Sequence, residues 1–519
     1  MSEGLHHLLR AAAQQRPDHP LFERRGVVTT YGEIDRASSA FAASLRERGV
    51  EKGQRVALVL DNLAAYPICY YGALKAGAAV VPLCPDTRPG TLSRALSHSE
   101  ARAVVLETKT SKLLAGLGDQ LDALSTVYCL GKRVLEAEGG FEVLDLSEVL
   151  AADAHLDDSG AGDADLAAVM YTSGTTALPK GVMLSHRNLL ANTRSCVEYL
   201  ELKPDERLGL VLPLFYSYGN SLLHTHICVG GTLVDIGTVA FPAAVLKGLD
   251  EKACTGLSGV PSTFARLLHT TALDKYDLTD VRYLTQAGGP MTPALTEKLL
   301  AAMPNAKLYV MYGQTEAAPR LSYLPPEDLD RKLGSVGKAI PGVTLRVLDA
   351  EGNEVEPGVE GELVAQGDNV MLGYLDDPAA TAKALRPEGL RTGDLARRDK
   401  DGYVYIIGRN TDMMKAGAHR IAPQEIEAVI EKLPEVAQCA VAGIPDELLG
   451  EAIAAFIVRT DGAELDEKQV MRACYEYLPR FKMPGHVVFV DTLPRTDTGK
   501  LRRSELKSWQ PPPPQKGGT

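Results

Sequence analysis

Three short, uninterrupted apolar runs constrain this chain most: RVALVL (Arg55 to Leu60), AAVVPL (Ala78 to Leu83) and ARAVVLE (Ala101 to Glu107), separated by helix-like segments. A strand wetted on one face alternates apolar and polar residues, whereas a continuous apolar run marks a strand covered on both faces. Such strands belong to parallel sheets whose crossovers are helices. The alternation persists to about Pro325, which predicts a large α/β body. A helix precedes the first run: Thr30 and Glu33 stand at capping-box spacing, Ile34, Ala37, Phe41 and Leu45 share one face, and Gly49 is the stop.

The texture changes between about Gly334 and Gly408, where TLRVLDAEGNEVEPGVEGELVAQG and ARRDKDGYVYIIGR set Gly-Asn and Asp-Gly turns between alternating strands. After Arg409 a helix opens at Pro423 with Ile426, Val429, Ile430 and Leu433 at helical spacing, followed by AQCAVAGI, AIAAFIVR, a further helix and HVVFV. The predicted organisation is an N-terminal domain over 1–409 of stacked α/β sheets with a β-rich subdomain at about 334–408. A small α+β C-terminal domain over 410–510 and a disordered tail over 511–519 complete it.

Charge and cysteine content exclude several classes of function. Lys and Arg total 55 against 67 Asp and Glu, a net charge of −12, so bulk electrostatic binding to nucleic acid or an anionic membrane is excluded, and a polyanionic ligand needs a local basic site. No apolar run approaches the roughly 20 residues of a membrane span. The first residues contain no apolar core of signal-peptide length. The eight cysteines are dispersed, with no CxxC pair and no interleaved His at zinc spacing, which predicts reduced thiols in the cytoplasm and no zinc site; the expected assembly is a monomer or homodimer.

The stretch Tyr171 to His186, YTSGTTALPKGVMLSH, carries the strongest chemical signal. Thr172, Ser173, Thr175 and Thr176 around Gly174 offer hydroxyl and backbone donors on a loop able to close over phosphate oxygens, and Lys180 adds a point charge. No GK[ST] ends the loop, so it is not a Walker sequence. These residues resemble the phosphate loop of the adenylate-forming superfamily, which contains acyl-CoA synthetases, adenylation domains and beetle luciferases. The resemblance recurs in the same order in MYGQTE (Met311 to Glu316), RTGDL (Arg391 to Leu395), GRNTDMMKAGAHRIAPQEIE (Gly408 to Glu427) and PRTDTGKL (Pro494 to Leu501), covering nearly the whole chain.

The resemblance implies ATP-dependent activation of a carboxylic acid on a large N-terminal domain capped by a small, mobile C-terminal domain. It implies that Thr175, Glu316 and Lys500 are catalytic, with Glu316 holding Mg²⁺ and Lys500 bridging substrate carboxylate and α-phosphate. Thr172, Ser173, Gly174, Thr175, Thr176, Lys180, Gly288, Tyr312, Thr315, Asp394, Ile406 and Arg409 would bind nucleotide: Tyr312 under adenine, Thr315 toward the α-phosphate, Asp394 and Arg409 at the ribose. The acyl pocket would comprise Tyr216, Tyr218, Gly219, Val260, Gly288, Gly289 and Gly313, with Tyr216 where the family often has histidine. Arg320, just beyond YGQTE, is expected to form a structural ion pair rather than to meet a polar substrate.

For the second step the resemblance implies a hinge at Thr411, where Asp or Lys is usual, and a thiol tunnel at Lys415, Gly417 and Ala418, the last replacing a glycine. Ala177 similarly replaces a glycine in the phosphate loop. The acceptor is coenzyme A or the phosphopantetheine of a separate carrier protein, met by the basic set Lys415, Arg420, Arg480, Lys482, Arg502 and Arg503. The chain lacks a carrier-type LGGxS element and an FDxS-like aspartate for an α-ammonium, which favours an acid without an α-amine. The leading expectation is an acyl- or aryl-CoA synthetase; a carrier-loading ligase and a non-catalytic nucleotide-binding scaffold are the alternatives.

Overall fold

The computed structural model describes residues 4–87, 89–111, 121–131, 140–154, 156, 160–172, 180–269, 273–409, 412, 414–416, 419–446, 450–478, 480–495 and 501–509. Two large sheets organise the N-terminal domain. The first runs, edge to edge, Lys338–Ala339, Ser322–Leu324, Lys307–Tyr312, Tyr283–Gln286, Gly256–Gly259, Arg207–Leu210, Thr232–Asp235, Pro20–Arg24 and Val27–Thr30. Its strands from Lys307–Tyr312 to Pro20–Arg24 are mutually parallel, with antiparallel strands only at the edges. The second runs Gly373–Tyr374, Lys180–Ser185, Leu166–Thr172, Ala79–Pro82, Arg55–Val59, Ala101–Glu107, Thr126–Leu130 and Glu142–Asp145.

The three apolar runs are adjacent parallel strands, each trimmed by at most one residue per end. Their continuous hydrophobicity follows from burial on both faces. One core cluster takes Phe22, Leu208 and Leu233 from the first sheet, Val56, Leu58 and Val80 from the second, and Phe41, Tyr70 and Leu223 from helices. Every residue of the helix Ala65–Lys75 is buried. The capping box forms as predicted on Tyr31–Glu47: the Thr30 side chain accepts from the Glu33 amide, and the Glu33 side chain accepts from the Thr30 amide. Gly49, at φ +74°, lies just past the helix end, in the left-handed region that a side chain disfavours.

An antiparallel five-stranded sheet follows, built from Val343–Leu348, Glu360–Gly367, Leu385–Arg386, Gly389–Arg398 and Val404–Arg409. Gly373–Tyr374, within the same stretch of chain, leaves this sheet and pairs with Lys180–Ser185 of the large sheet instead. The smaller C-terminal domain holds the helices Pro423–Ile430 and Glu467–Tyr477 and a sheet of Met414–Ala416, His419–Ile421, Val436–Asp446, Gly450–Arg459 and His486–Phe489. Ile426, Val429 and Ile430 face its core, while Leu433 packs against that core from beyond the helix end. Among the described residues no helix is long and apolar enough to cross a membrane.

Candidate active site

Parallel sheets gather chemistry at the carboxyl ends of their strands, because successive loops emerge there side by side. In the first sheet, Arg207–Leu210 leads into Leu212–Gly219, Gly256–Gly259 into Val260, Tyr283–Gln286 into Gly288 and Gly289, and Lys307–Tyr312 into Gly313 to Glu316. Four neighbouring strands therefore deliver the segments that the sequence groups as pocket and nucleotide residues. In the second sheet, Leu166–Thr172 and Lys180–Ser185 pair antiparallel with Thr172 opposite Lys180. These paired residues are the two feet of the expected phosphate loop, whose Ser173, Gly174, Thr175, Thr176 and Ala177 lie outside the described residues.

Glu316 is held from an unexpected quarter. The Tyr374 hydroxyl donates to Glu316 Oε1 at 2.8 Å, and Lys180 Nζ lies 4.7 Å from the centre of the same tyrosine ring. Tyr374 is thus a strut between the expected metal carboxylate and the expected phosphate lysine. Burial, then the adjacent Glu316 carboxylate, raises its phenol above the ordinary value, so Tyr374 stays a neutral donor. Sequence reasoning missed it, because its position depends on a two-residue strand pairing with a partner far away in the chain. Thr315 Oγ1 lies 3.1 Å from Ser217 Oγ, tying the YGQTE turn to the start of the helix Ser217–Val229.

Asp394 and Arg409, the residues expected at the ribose, are cross-strand partners. Asp394 is 4% exposed, and its two oxygens take separate donors: Tyr312 Oη at 2.5 Å and Arg409 Nε at 3.2 Å. Burial pushes the Asp394 carboxyl above its ordinary value, and the Arg409 charge opposes that shift. A carboxylate offers about four lone-pair sites, so capacity for diol hydroxyls remains. Ile406, two pairs along the same ladder opposite Ala396, is half-buried.

Tyr216 precedes the helix Ser217–Val229 without capping it through its side chain, and its ring centre is 4.4 Å from that of Phe215. The partly exposed Tyr218 hydroxyl donates to Thr285 O at 3.0 Å, and its ring lies 4.0 Å from the Arg320 guanidinium carbon. Two of the glycines are dictated by backbone packing. A Cβ at Gly219 would stand 2.0 Å from Pro213 O, and one at Gly313 would stand 1.8 Å from Pro319 O. Gly288, at φ +85°, and Gly289 meet only Val260 and Pro261 side-chain atoms, at 3.3 Å. Arg320 departs from expectation: it is 3% exposed and has no carboxylate within salt-bridge distance among the described residues. The structural ion pair expected from sequence is therefore absent there, and the tyrosine face takes its place.

Toward the C-terminus, Thr411, Gly417, Ala418 and Lys500 lie outside the described residues, as does the Lys415 side chain. The feet of the lysine loop are described: Arg495 and Leu501 form an isolated bridge, and the Arg502 amide donates to Pro494 O at 2.9 Å. Just beyond, Arg503 grips both oxygens of Glu427, with Nη2 to Oε2 at 2.9 Å, and donates to Val441 O at 2.6 Å. Arg503 and Lys482, read from sequence as acceptor-binding cations, are both engaged by carboxylates, Lys482 by Glu425.

Comparison with known proteins agrees with this geometry. The family model described as AMP-binding enzyme matches residues 9–375, and that of the AMP-binding enzyme C-terminal domain matches residues 425–500. A long-chain-fatty-acid–CoA ligase of Yersinia pestis is 33% identical, over 96% of this chain and 92% of its own length. A feruloyl-CoA synthase of an Amycolatopsis species is 32% identical over 95% and 96%. The crystal structure of ATP-bound MatB from Rhodopseudomonas palustris superposes with a TM-score of 0.86 at 31% identity, covering 98% of both chains. With both family domains matched in order, the chain belongs to the AMP-binding enzyme family.

Proposed function

We propose that this protein is an AMP-forming acid–thiol ligase that converts a carboxylic acid to its coenzyme A thioester through an acyl-adenylate. A carboxylate oxygen of the acid attacks the α-phosphorus of ATP while the bond to pyrophosphate breaks. The thiol sulfur then attacks the acyl carbon, and AMP leaves. Both steps are governed by positioning and charge neutralisation, so a cleft lined by strand-end loops suits them. The observation that carries the reading is the doubly held Asp394, a buried acceptor paired with Arg409 and bonded by the Tyr312 hydroxyl. Nucleoside recognition needs that combination.

On this reading Thr172, Lys180 and the loop between them hold the triphosphate, and Lys500 supplies positive charge at the reacting phosphate. Gly288, Ile406 and Thr315 complete the nucleotide contacts; Tyr216, Tyr218, Gly219, Val260, Gly289 and Gly313 complete the acyl side. Glu316 fits Mg²⁺, which commonly takes one or two carboxylates and fills its shell with water and phosphate oxygens; only Oε1 is used by Tyr374. When bound, that ion supplies charge neutralisation on the phosphates. Thr411 acts as the hinge, and Lys415, Gly417 and Ala418 line the thiol path. The enzyme works in the cytoplasm as a monomer or homodimer.

Pyrophosphate exchange across a panel of carboxylic acids tests the first step, and product analysis with free coenzyme A tests the second. Exchange followed by acyl-CoA is the expected result. Exchange without acyl-CoA would transfer the second step to a carrier protein, and no exchange with any acid would overturn the enzymatic reading.

A further inference from the structure

Arg320 is a buried cation whose hydrogen-bonding capacity is unspent. Its position is fixed by its backbone: Arg320 O accepts from Asn192 Nδ2 at 3.1 Å and from Asn369 Nδ2 at 2.8 Å, both buried amides. The preceding Pro319 carbonyl presses on Gly313, which admits no side chain there. From this anchored point the guanidinium lies against Tyr218, 4.0 Å from the ring centre.

Stacking uses the π face of a guanidinium and leaves its in-plane N–H groups available. Arg320 Nε is sealed from solvent without an acceptor. Its terminal nitrogens make no hydrogen bond or ion pair among the described residues, and Nε is the donor that is both sealed and unsatisfied. An arginine that served only to pack would be expected to meet a carbonyl or carboxylate, because burying donors unpaired is costly. Tyr218, in contrast, is satisfied through Thr285, itself bonded to Ser258 at 2.7 Å. Its hydroxyl is committed to the sheet, and its ring, in a residue that the proposed function assigns to the acyl side, holds the guanidinium.

We infer that Arg320 anchors a second carboxylate, borne by the substrate at the end remote from the reacting carboxyl group. The substrate is then a dicarboxylic acid, aliphatic or aryl, and not an acid with an apolar tail. A carboxylate matches the planar fork of N–H donors and supplies the counter-charge that this part of the fold omits. The inference rests on the proposed function and deepens it by naming the substrate class.

Pyrophosphate exchange on matched acids tests it: aliphatic monoacids against diacids of equal length, and benzoic against carboxybenzoic acids, with wild type, Arg320→Leu and Arg320→Lys. The expected result is a diacid preference in wild type, with one chain length or ring isomer best. Arg320→Leu should lower kcat/KM for that diacid by about 100-fold, leave the ATP KM unchanged and improve the matched monoacid, because a site built for a polar group rejects its absence strongly. Arg320→Lys should retain part of the diacid preference. Which series responds separates the aliphatic from the aryl source. A wild-type preference for monoacids overturns the inference even if Arg320→Leu fails to fold. Equal loss on every acid, with a lowered melting temperature, overturns it in favour of a packing role. No exchange with any acid overturns the proposed function as well, whereas exchange confined to acids with one carboxyl overturns this inference alone.

Discussion

Asp394 and Arg320 are both almost fully buried charges, and the protein treats them differently. Asp394 is met by Tyr312 and Arg409, so its charge is balanced within the fold before a nucleotide arrives. Arg320 lies against a tyrosine face and makes no ion pair among the described residues. Internal pairing holds a site in shape for a ligand that is always the same, as ATP would be. A charge balanced only by its ligand makes binding conditional on what that ligand carries, which is the logic of selection.

The largest expected effect is that of the lysine assigned to the reacting phosphate. Lys500→Ala should slow adenylate formation by about 1000-fold, while thioester formation from supplied acyl-adenylate changes little. Equal loss in the two half-reactions would remove Lys500 from its assigned role. Next, Asp394→Asn places an amide against the donors of Tyr312 and Arg409, and the ATP KM should rise about 30-fold with the acid KM unchanged. A change in the acid KM instead would mean that the paired end is not the nucleotide end. Tyr374→Phe is milder: it keeps the ring beneath Lys180 and frees Glu316, so kcat should fall about fivefold and a magnesium titration should shift to higher concentration. An unchanged titration would separate Glu316 from the metal.

The smallest effect concerns stability. Burial holds His186, His224 and His226 well below their ordinary value of 6.5, at about 3, 3 and 4. Each is folded neutral: His224 sits 2.8 Å from Asn220 Oδ1 and 3.0 Å from the Tyr71 hydroxyl, and His186 Nδ1 accepts from the Leu5 amide at 2.9 Å. The unfolded chain binds their protons first, so this stability is complete above about pH 6.5 and is lost as pH falls toward 4. Glu431, pushed up to about 8 by burial and then by Glu427, acts in the opposite sense and offsets about one of the three protons. Each net proton is worth about 1.4 kcal/mol per pH unit. The unfolding midpoint should therefore drop by several degrees between about pH 7 and about pH 5, with a shallower slope in His224→Gln. A flat profile would show these histidines to be solvated.

Local rules wrote much of this fold into the sequence. The Thr30–Glu33 capping box and the buried strands needed only neighbouring residues and appear where periodicity puts them. The five motifs likewise announced the family, because each is contiguous. Tyr374 was invisible: it reaches Lys180 and Glu316 through a strand of two residues that leaves its own sheet, and no local pattern encodes that exchange. Arg320 misled for a different reason. Charge in a sequence suggests a surface or an ion pair, and only the packing of Tyr218, Asn192 and Asn369 around it reveals burial without a counter-ion among the described residues.

Gly219 and Gly313 have a bearing on how such an enzyme can change its diet. Since main-chain carbonyls crowd the space where a methyl group would stand, neither position accepts a side chain without a backbone shift. Under the proposed acyl-side assignment, variation is channelled into the side chains at Tyr216, Val260 and Arg320, and a library aimed at new acids gains most by randomising those three while leaving the glycines untouched.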